Sequence, residues 1–242
     1  FAGKSNYVNQ TLSATFVINL RRTTSTADTT KVSVIYGEDI VVRVTYYDID
    51  GSAYIGNADS YTFEISGVAE GAPSLSGTLT NLGNGTYVMS VSTTSLDLGT
   101  FTAIIQLSKQ HYESQSIYVT IVINPIPTTA SADKSSDEKE WGSNSTIVVT
   151  YNRSDVNQGI ENADNKTFVI YSSGSEVYRG ELKELGNGRY QFNINTTELG
   201  VGYYTIYIYL EKAFHENQTI VITLKVDEIS TYAYLEINEI TA

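Results

Sequence analysis

Apolar and polar residues alternate along most of this chain. Phe101, Ala103, Ile105 and Leu107 are interleaved with Thr102, Ile104 and Gln106, and the pattern returns at Tyr204, Ile206, Ile208 and Leu210 around Thr205, Tyr207 and Tyr209. A period of two puts alternate side chains on opposite faces, so each run predicts a half-buried antiparallel strand with one apolar face. Further alternating sets are Ile117, Val119, Ile121 and Ile123; Ile220, Ile222, Leu224 and Val226; and Leu12, Ala14, Phe16 and Ile18. No stretch carries the helical period of about 3.6 residues.

These runs sit inside a duplicated block, residues 81–123 returning as 184–226. Leu82 matches Leu185, Gly99 matches Gly202 and Gln115 matches Gln218 at an offset of 103, while Tyr36 matches Trp141, Tyr46 matches Tyr151 and Phe63 matches Phe168 at 105. The change of two residues therefore falls between Phe63 and Leu82, where residues 66–74 read as a Gly-containing loop. Solenoid repeats run about 20–50 residues, so this longer period means whole domains in tandem.

A third copy is present in pieces. Residues 6–28 align without a gap on 111–133, and 227–231 take the place of 124–128. The expected organisation is thus 1–22 as the last strand or strands of a preceding repeat (or a donated strand), domains at 23–127 and 128–230, and 231–242 as the start of another repeat or a tail. The chain reads as a slice of a longer array.

Seven strands are predicted in the first full copy, at 31–35, 40–46, 61–65, 75–79, 86–91, 101–108 and 116–123. Short strands at regular spacing, joined by Gly and Asn turns, point to an all-β fold of immunoglobulin-like sandwiches, about seven strands each, arranged end to end. The recurring Leu-Gly-Asn-Gly-x-Tyr is a hairpin signal, because Asn and Gly both accept positive φ; Tyr87 and Tyr190 then face the core beside Met89 and Phe192. At the junction, Pro125 and Pro127 stiffen a connector too short to be a free linker.

Asn-Gly-x-Tyr, followed by Thr-Thr-x-Leu, Gly-x-Phe/Tyr-Thr and a final alternating strand, resembles the tandem immunoglobulin-like repeats of prokaryotic, especially archaeal, cell-surface proteins. The resemblance covers nearly all of the chain, with the Ile-Pro-Thr junction at residues 126–128. It implies an extracellular, non-catalytic role in S-layers, stalks, adhesins or filaments, and carries over no catalytic residue.

Composition narrows the chemistry. Among 242 residues there is no cysteine, which excludes disulfides, thiol catalysis and Cys-ligated zinc. A net charge of −12, with Arg21 and Arg22 as the one basic doublet, argues against nucleic acid. No apolar run reaches the roughly 18 residues that a membrane-spanning helix needs. His111 and His215 fall in neighbouring columns of the repeat and read as turn residues, since neither is offered a nucleophile and an orienting carboxylate.

Three kinds of site are candidates. Seven Asn-x-Ser/Thr glycan acceptors stand at Asn9, Asn84, Asn144, Asn152, Asn165, Asn195 and Asn217, of which Asn9 and Asn217 share a repeat column. Asp48, Asp50 and Asp59, near Gly51 and Asn57, supply hard oxygen ligands suited to calcium, although the second copy has Arg153 in the place of Asp48. Tyr203, Tyr207 and Tyr209 form an aromatic stripe on the face away from the core, fit for a protein interface or for stacking on sugars.

The leading expectation is a structural segment of a cell-surface assembly whose partners are other copies of itself or neighbouring repeats. An adhesin recognising glycan or protein through the tyrosines or the Asp48 loop is the alternative; a strand-donating, pilin-like subunit is a special case of the structural reading, built on residues 10–20. No recurring pair of carboxylates with a partnered His, Ser or Lys argues for an enzyme.

Overall fold

Two demands place the strands: alternating apolar faces must be buried, and interior backbone N–H and C=O groups must find partners. In a computed structural model describing residues 11–68, 71 and 73–234, both are met by two immunoglobulin-like β-sandwich domains of ten strands each, in four sheets. The chain divides into the units Phe1–Ile123 and Asn124–Ala242.

Unit 1 contains β1 (Thr23–Ala27), β2 (Lys31–Ile35), β3 (Asp39–Asp48), β4 (Ala53–Tyr54), β5 (Ser60–Gly67), β6 (Ser74–Thr78), β7 (Thr80–Asn81), β8 (Thr86–Ser92), β9 (Gly99–Ser108) and β10 (Gln115–Asn124). One sheet has the order β1-β3-β8-β7 with β4 beside β3, and the other β2-β10-β9-β5-β6. Unit 2 repeats this with β11 (Thr128–Ala132), β12 (Ser136–Glu140), β13 (Asn144–Arg153), β14 (Gln158–Gly159), β15 (Asn165–Ser172), β16 (Ser175–Glu181), β17 (Lys183–Gly186), β18 (Arg189–Asn195), β19 (Gly202–Glu211) and β20 (Gln218–Asp227). Its sheets are β11-β13-β18-β17, with β14 on β13, and β12-β20-β19-β15-β16. β12 runs parallel to β20, so the first stretch of the unit pairs in one sheet and then crosses to the other.

All seven expected strands are present, and the count of ten corrects the expectation by β1, β4 and β7. The last two are only two residues long. β1 is Thr-Thr-Ser-Thr-Ala, whose inward and outward faces differ too little in polarity to show a period. The length change between copies lies between β5 and β6: β15 and β16 are closed by Ser173 and Gly174, both at positive φ, whereas in unit 1 more residues separate Gly67 from Ser74.

Residues 11–20 carry the strand pattern and yet form no strand. Leu12, Phe16 and Ile18 stand exposed. Their repeat equivalent, β10, is a strand because it lies between β2 and β9, burying Val119, Ile121 and Ile123. Within the described residues the corresponding slots are filled by β10 and β20. The register of the repeat is visible nonetheless, since Arg21 bridges to Tyr112 as Ile126 does to His215.

The two core faces of β9 and β19 are buried as expected, at Phe101, Ala103, Ile105 and Leu107, and at Tyr204, Ile206, Ile208 and Leu210. Tyr87 and Tyr190 are fully buried, which requires their hydroxyls to be satisfied internally. Tyr190 donates to the Ile160 carbonyl (2.7 Å) and accepts from the Ala163 N–H (3.1 Å); Tyr87 repeats this with Ile55 (2.8 Å) and Ala58 (3.0 Å). Each tyrosine thus fastens the loop before β5 or β15 to the core. The hairpin turn behind it departs in detail from expectation: Gly186, Asn187 and Gly188 take positive φ in unit 2, whereas in unit 1 Gly83 and Gly85 do so and Asn84 does not.

One feature of unit 2 has no counterpart in unit 1. Where β2 offers Val32 and Val34, β12 offers Asp137 and Lys139. Asp137 accepts from Ser145 Oγ (2.7 Å) and pairs with Lys134 (2.9 Å) and Lys139 (3.6 Å). Burial pushes its pKa up, but the hydrogen bonds from Ser145 and Lys134 and the two ammonium charges outweigh that, leaving it below the ordinary carboxylate range.

Trp141, the single tryptophan, lies in unit 2 and reports its unfolding by fluorescence. Tyr190→Phe leaves a buried N–H and a buried carbonyl without their partner and is expected to cost about 1–3 kcal/mol in urea titration. Because the folded pKa of Asp137 is depressed, its stabilisation is present above the ordinary carboxylate pKa and is lost as pH falls through the folded value. Trp141-monitored urea midpoints should therefore drop on acidification below about pH 4, less steeply in Asp137→Asn; equal slopes would show that the carboxylate does not contribute.

Candidate functional site

The connector ahead of each unit is docked by the same set of atoms. Arg21 exchanges backbone hydrogen bonds with His111 and Glu113, and Ile126 does so with Phe214 and Glu216, at 2.8–3.0 Å. The next buried polar residue, Thr23 or Thr128, donates its hydroxyl to the Glu113 or Glu216 carbonyl, both at 2.8 Å. That carbonyl also accepts the hydroxyl of Tyr46 (2.8 Å) or Tyr151 (2.9 Å). Gln115 Nε2 reaches Thr23 Oγ1 at 2.9 Å, and Gln218 Nε2 reaches Thr128 Oγ1 at 3.0 Å. Burial raises the pKa of Tyr46 and of Tyr151 against the opposing hydrogen bond to the threonine, so both remain donors at neutral pH. Thr23, Tyr46, Glu113 and Gln115 are identical to Thr128, Tyr151, Glu216 and Gln218 in their repeat columns, and the sequence reading gave none of them this role.

The calcium candidates are not brought together. Asp48 accepts from the Gly51 N–H (2.9 Å) and pairs with Arg21 (2.6 Å). A side chain at residue 51 would run into that ion pair, which accounts for the glycine. Asp50 takes the Arg22 backbone N–H and guanidinium at 2.7–2.9 Å, and these hold its carboxyl below the usual range. Asp59 accepts from the Gln110 N–H at 2.6 Å, with Lys109 on Asn57 beside it. A cation entering this loop would have to displace two guanidinium groups, and no group of three or more His, Cys, Asp or Glu side chains suited to a metal gathers among the described residues. Unit 2 keeps the charge balance by exchange: Arg153, in the Asp48 column, pairs with Asp155 (2.6 Å), in the Asp50 column, while Ile126 and Pro127 replace the two arginines.

The tyrosine stripe is brought together and enlarged. Tyr207 and Tyr209 lie half-buried on the outer face of β19 and Tyr203 is exposed. Pairing of β15 with β19 adds Tyr171, whose ring meets Tyr207 edge-on at 5.6 Å, and Val169, buried at 3% exposure although it points away from the core. A shallow groove of about 690 Å³ results, lined by Tyr171, Ser173, Gly174, Tyr203, Tyr204, Thr205, Tyr207, Tyr209 and Thr223. None of these is charged. In unit 1 the equivalent face carries Glu64, Ser66, Ile104 and Gln106, so the aromatic platform belongs to unit 2 alone. Tyr171 escaped notice because its ring joins the stripe only through cross-strand pairing.

Of the glycan acceptors, Asn84, Asn144, Asn195 and Asn217 are exposed, Asn152 and Asn165 are half-buried, and Asn9 lies outside the described residues. In three of them the Thr two residues on donates to the Asn side chain: Thr86 N–H to Asn84, Thr167 Oγ1 to Asn165, and Thr197 N–H and Oγ1 to Asn195. His111 sits at positive φ, as does Phe214 in its column, and His215 Nδ1 meets the Ala213 carbonyl.

No family model matches the chain, and no curated protein matches it. Among solved structures, the fold is similar to titin domains Z1Z2 in complex with telethonin, at 10% identity and a TM-score of 0.43, covering 85% of this chain and 98% of that one. It is similar also to invasin, a bacterial integrin-binding protein (16%, TM-score 0.39, 85% and 39%). A tetra-tandem repeat in the extending region of a large adhesion protein gives 12%, 0.37, and 86% and 49%. The likeness is one of tandem immunoglobulin-like fold.

A double-mutant cycle of Arg21→Ala and Asp48→Ala on urea unfolding, followed by circular dichroism, is expected to give a coupling of about 1 kcal/mol, since one partner is buried and the other half exposed. Additive single effects would show that Asp48 is held by its turn rather than by Arg21.

Proposed function

We propose that this chain is a non-catalytic structural segment of an extracellular, cell-surface assembly such as an S-layer, stalk or filament, working through copies of the same domain. The observation that carries this reading is what the two units keep and what they vary. The Thr–Tyr–Gln–Glu docking of the connector recurs with nearly the same distances. The tyrosine groove, which offers ligand chemistry, occurs in unit 2 alone. A chain that repeats its scaffold and not its sites is built to extend and present.

In this reading residues 11–20 are a β10-type strand whose pairing partners belong to another domain, a preceding repeat or a neighbouring copy. Residues 229–233 (Ile-Ser-Thr-Tyr-Ala) stand in the columns of 126–130. The exposed acceptors, Asn84, Asn144, Asn195 and Asn217, would carry surface glycans. Electron microscopy of the native surface and of the purified polypeptide is expected to show ordered lattices or fibres; isolated monomers at every concentration would overturn the proposal.

A second reading, adhesion, is favoured by the groove of unit 2. Aromatic rings flanked by Ser and Thr hydroxyls, with no charge in a chain of net charge −12, suit a neutral carbohydrate. Binding of neutral glycans on an array is expected to fall at least tenfold in Tyr207→Ser, with the Trp141 unfolding transition unchanged. Absence of binding by the parent chain would remove this reading and leave the structural one standing.

A further inference from the structure

We infer, on the reading that the acceptors of this chain carry surface glycans, that the tyrosine groove of unit 2 is the seat of the chain's own N-linked sugars, held on Asn165 and Asn217. The two acceptors straddle Tyr209. Thr167, which completes the Asn165-Lys166-Thr167 site, pairs with Tyr209 from β15, and Thr219, which completes Asn217-Gln218-Thr219, pairs with it from β20. A step of two residues along a strand returns to the same face, so Asn165 stands diagonal to Tyr209 on the groove side, at a spacing that an aromatic side chain spans. Asn217 takes the matching place just ahead of β20, where it is exposed. Thr167 Oγ1 donates to Asn165 Oδ1 (2.8 Å), which orients the carboxamide and leaves Nδ2, the atom a sugar is joined to, outside that bond.

All three positions change together between the copies. Unit 1 has Ser60, Ser114 and Gln106 in the columns of Asn165, Asn217 and Tyr209, so it lacks both acceptors along with the ring. Among the described residues the other acceptors have no tyrosine placed in this way. Asn144 and Asn195 face each other across β13 and β18, with Thr146 and Asn193 as the next pair on that face; Asn152 lies between Thr129 and Gly159; and Thr86, two residues past Asn84, pairs with Thr45. Attachment draws on an oligosaccharide donor of the lipid-phosphate class and its transferase. Nδ2 bonds to the sugar C1, the C1–O bond to phosphate breaks, the lipid phosphate leaves with the electron pair, and Nδ2 gives one proton to a base of the transferase. The groove acts afterwards: the C–H face of a pyranose packs on the tyrosine rings, and its hydroxyls meet those of Ser173, Thr205 and Thr223. Tethering raises the local concentration, so contacts too weak to hold a free sugar hold an attached one.

The full chain, secreted from an N-glycosylating host, can be mapped for site occupancy by glycopeptide mass spectrometry and footprinted with a tyrosine-nitrating reagent. Sugars are expected on Asn165 and Asn217, and Tyr209 should react about fivefold more slowly than in the Asn165→Gln/Asn217→Gln double variant. Asn144→Gln/Asn195→Gln, which removes acceptors from the other sheet, should leave that rate unchanged. The sugars on Asn165 and Asn217 should also raise the thermal unfolding midpoint of the parent chain and leave that of Tyr209→Ser where it is. Equal nitration with both sites occupied, or a chain bearing sugar at neither site, overturns the assignment. Slow nitration in a chain that binds nothing on the glycan array upholds it while removing the adhesion reading, and array binding with equal nitration does the reverse.

Discussion

One main-chain carbonyl in each unit, that of Glu113 or Glu216, ties the two sheets together at one end. A carbonyl has two lone pairs, and here hydroxyls from the opposite sheet take both: the threonine that opens β1 or β11, and the tyrosine within β3 or β13. The carbonyl itself belongs to the turn that enters β10 or β20. The register of β1 depends on it, because shifting β1 by one residue would turn Thr23 outward, taking its hydroxyl from the Glu113 carbonyl and its acceptor oxygen from Gln115 Nε2. The second buried tyrosine does the same for the loop before β5 or β15, so each sandwich is held by apolar packing in the middle and by fully satisfied hydroxyls toward its loops.

What could be read from the sequence was local in kind. Alternation within a window of eight residues gave the core faces of β9, β10, β19 and β20, and the same alternation put Tyr203, Tyr207 and Tyr209 outside the core. The strand β1 escaped because Thr, Ser and Ala give no polarity contrast. The hydrogen bonds around the Glu113 and Glu216 carbonyls escaped for a different reason: Thr, Gln, Glu and Tyr are common residues, and the partners stand 65 to 92 residues apart. A signal existed in the repeat alignment, where Thr23 with Thr128, Tyr46 with Tyr151, Glu113 with Glu216 and Gln115 with Gln218 are all unchanged.

The Asp48 loop shows how a motif misleads when its partner is out of view. Asp-x-Asp-Gly has the oxygen ligands of a cation site, yet Arg21 and Arg22 on the docked connector already supply the positive charge. The clue was the arginine in the Asp48 column of the second copy. Read together with the loss of both connector arginines there, Arg153 marks a conserved charge balance moved from one segment to another.

Divergence between the copies is therefore of two sorts. Changes such as Asp48 to Arg153 come with compensating changes nearby and keep the architecture; changes such as Glu64 to Val169 and Ile104 to Tyr207 alter an exposed face with no compensation elsewhere. Compensated changes follow from the need to leave no buried charge unpaired, which constrains every copy equally. Uncompensated ones are free of that constraint, so what they build is where one copy can differ from its neighbour in the surface it presents. The tyrosine groove is such a change: Val169, paired with Tyr207 on one side and Arg179 on the other, is buried on an outward face, and a buried apolar residue outside the core marks a surface organised as a surface.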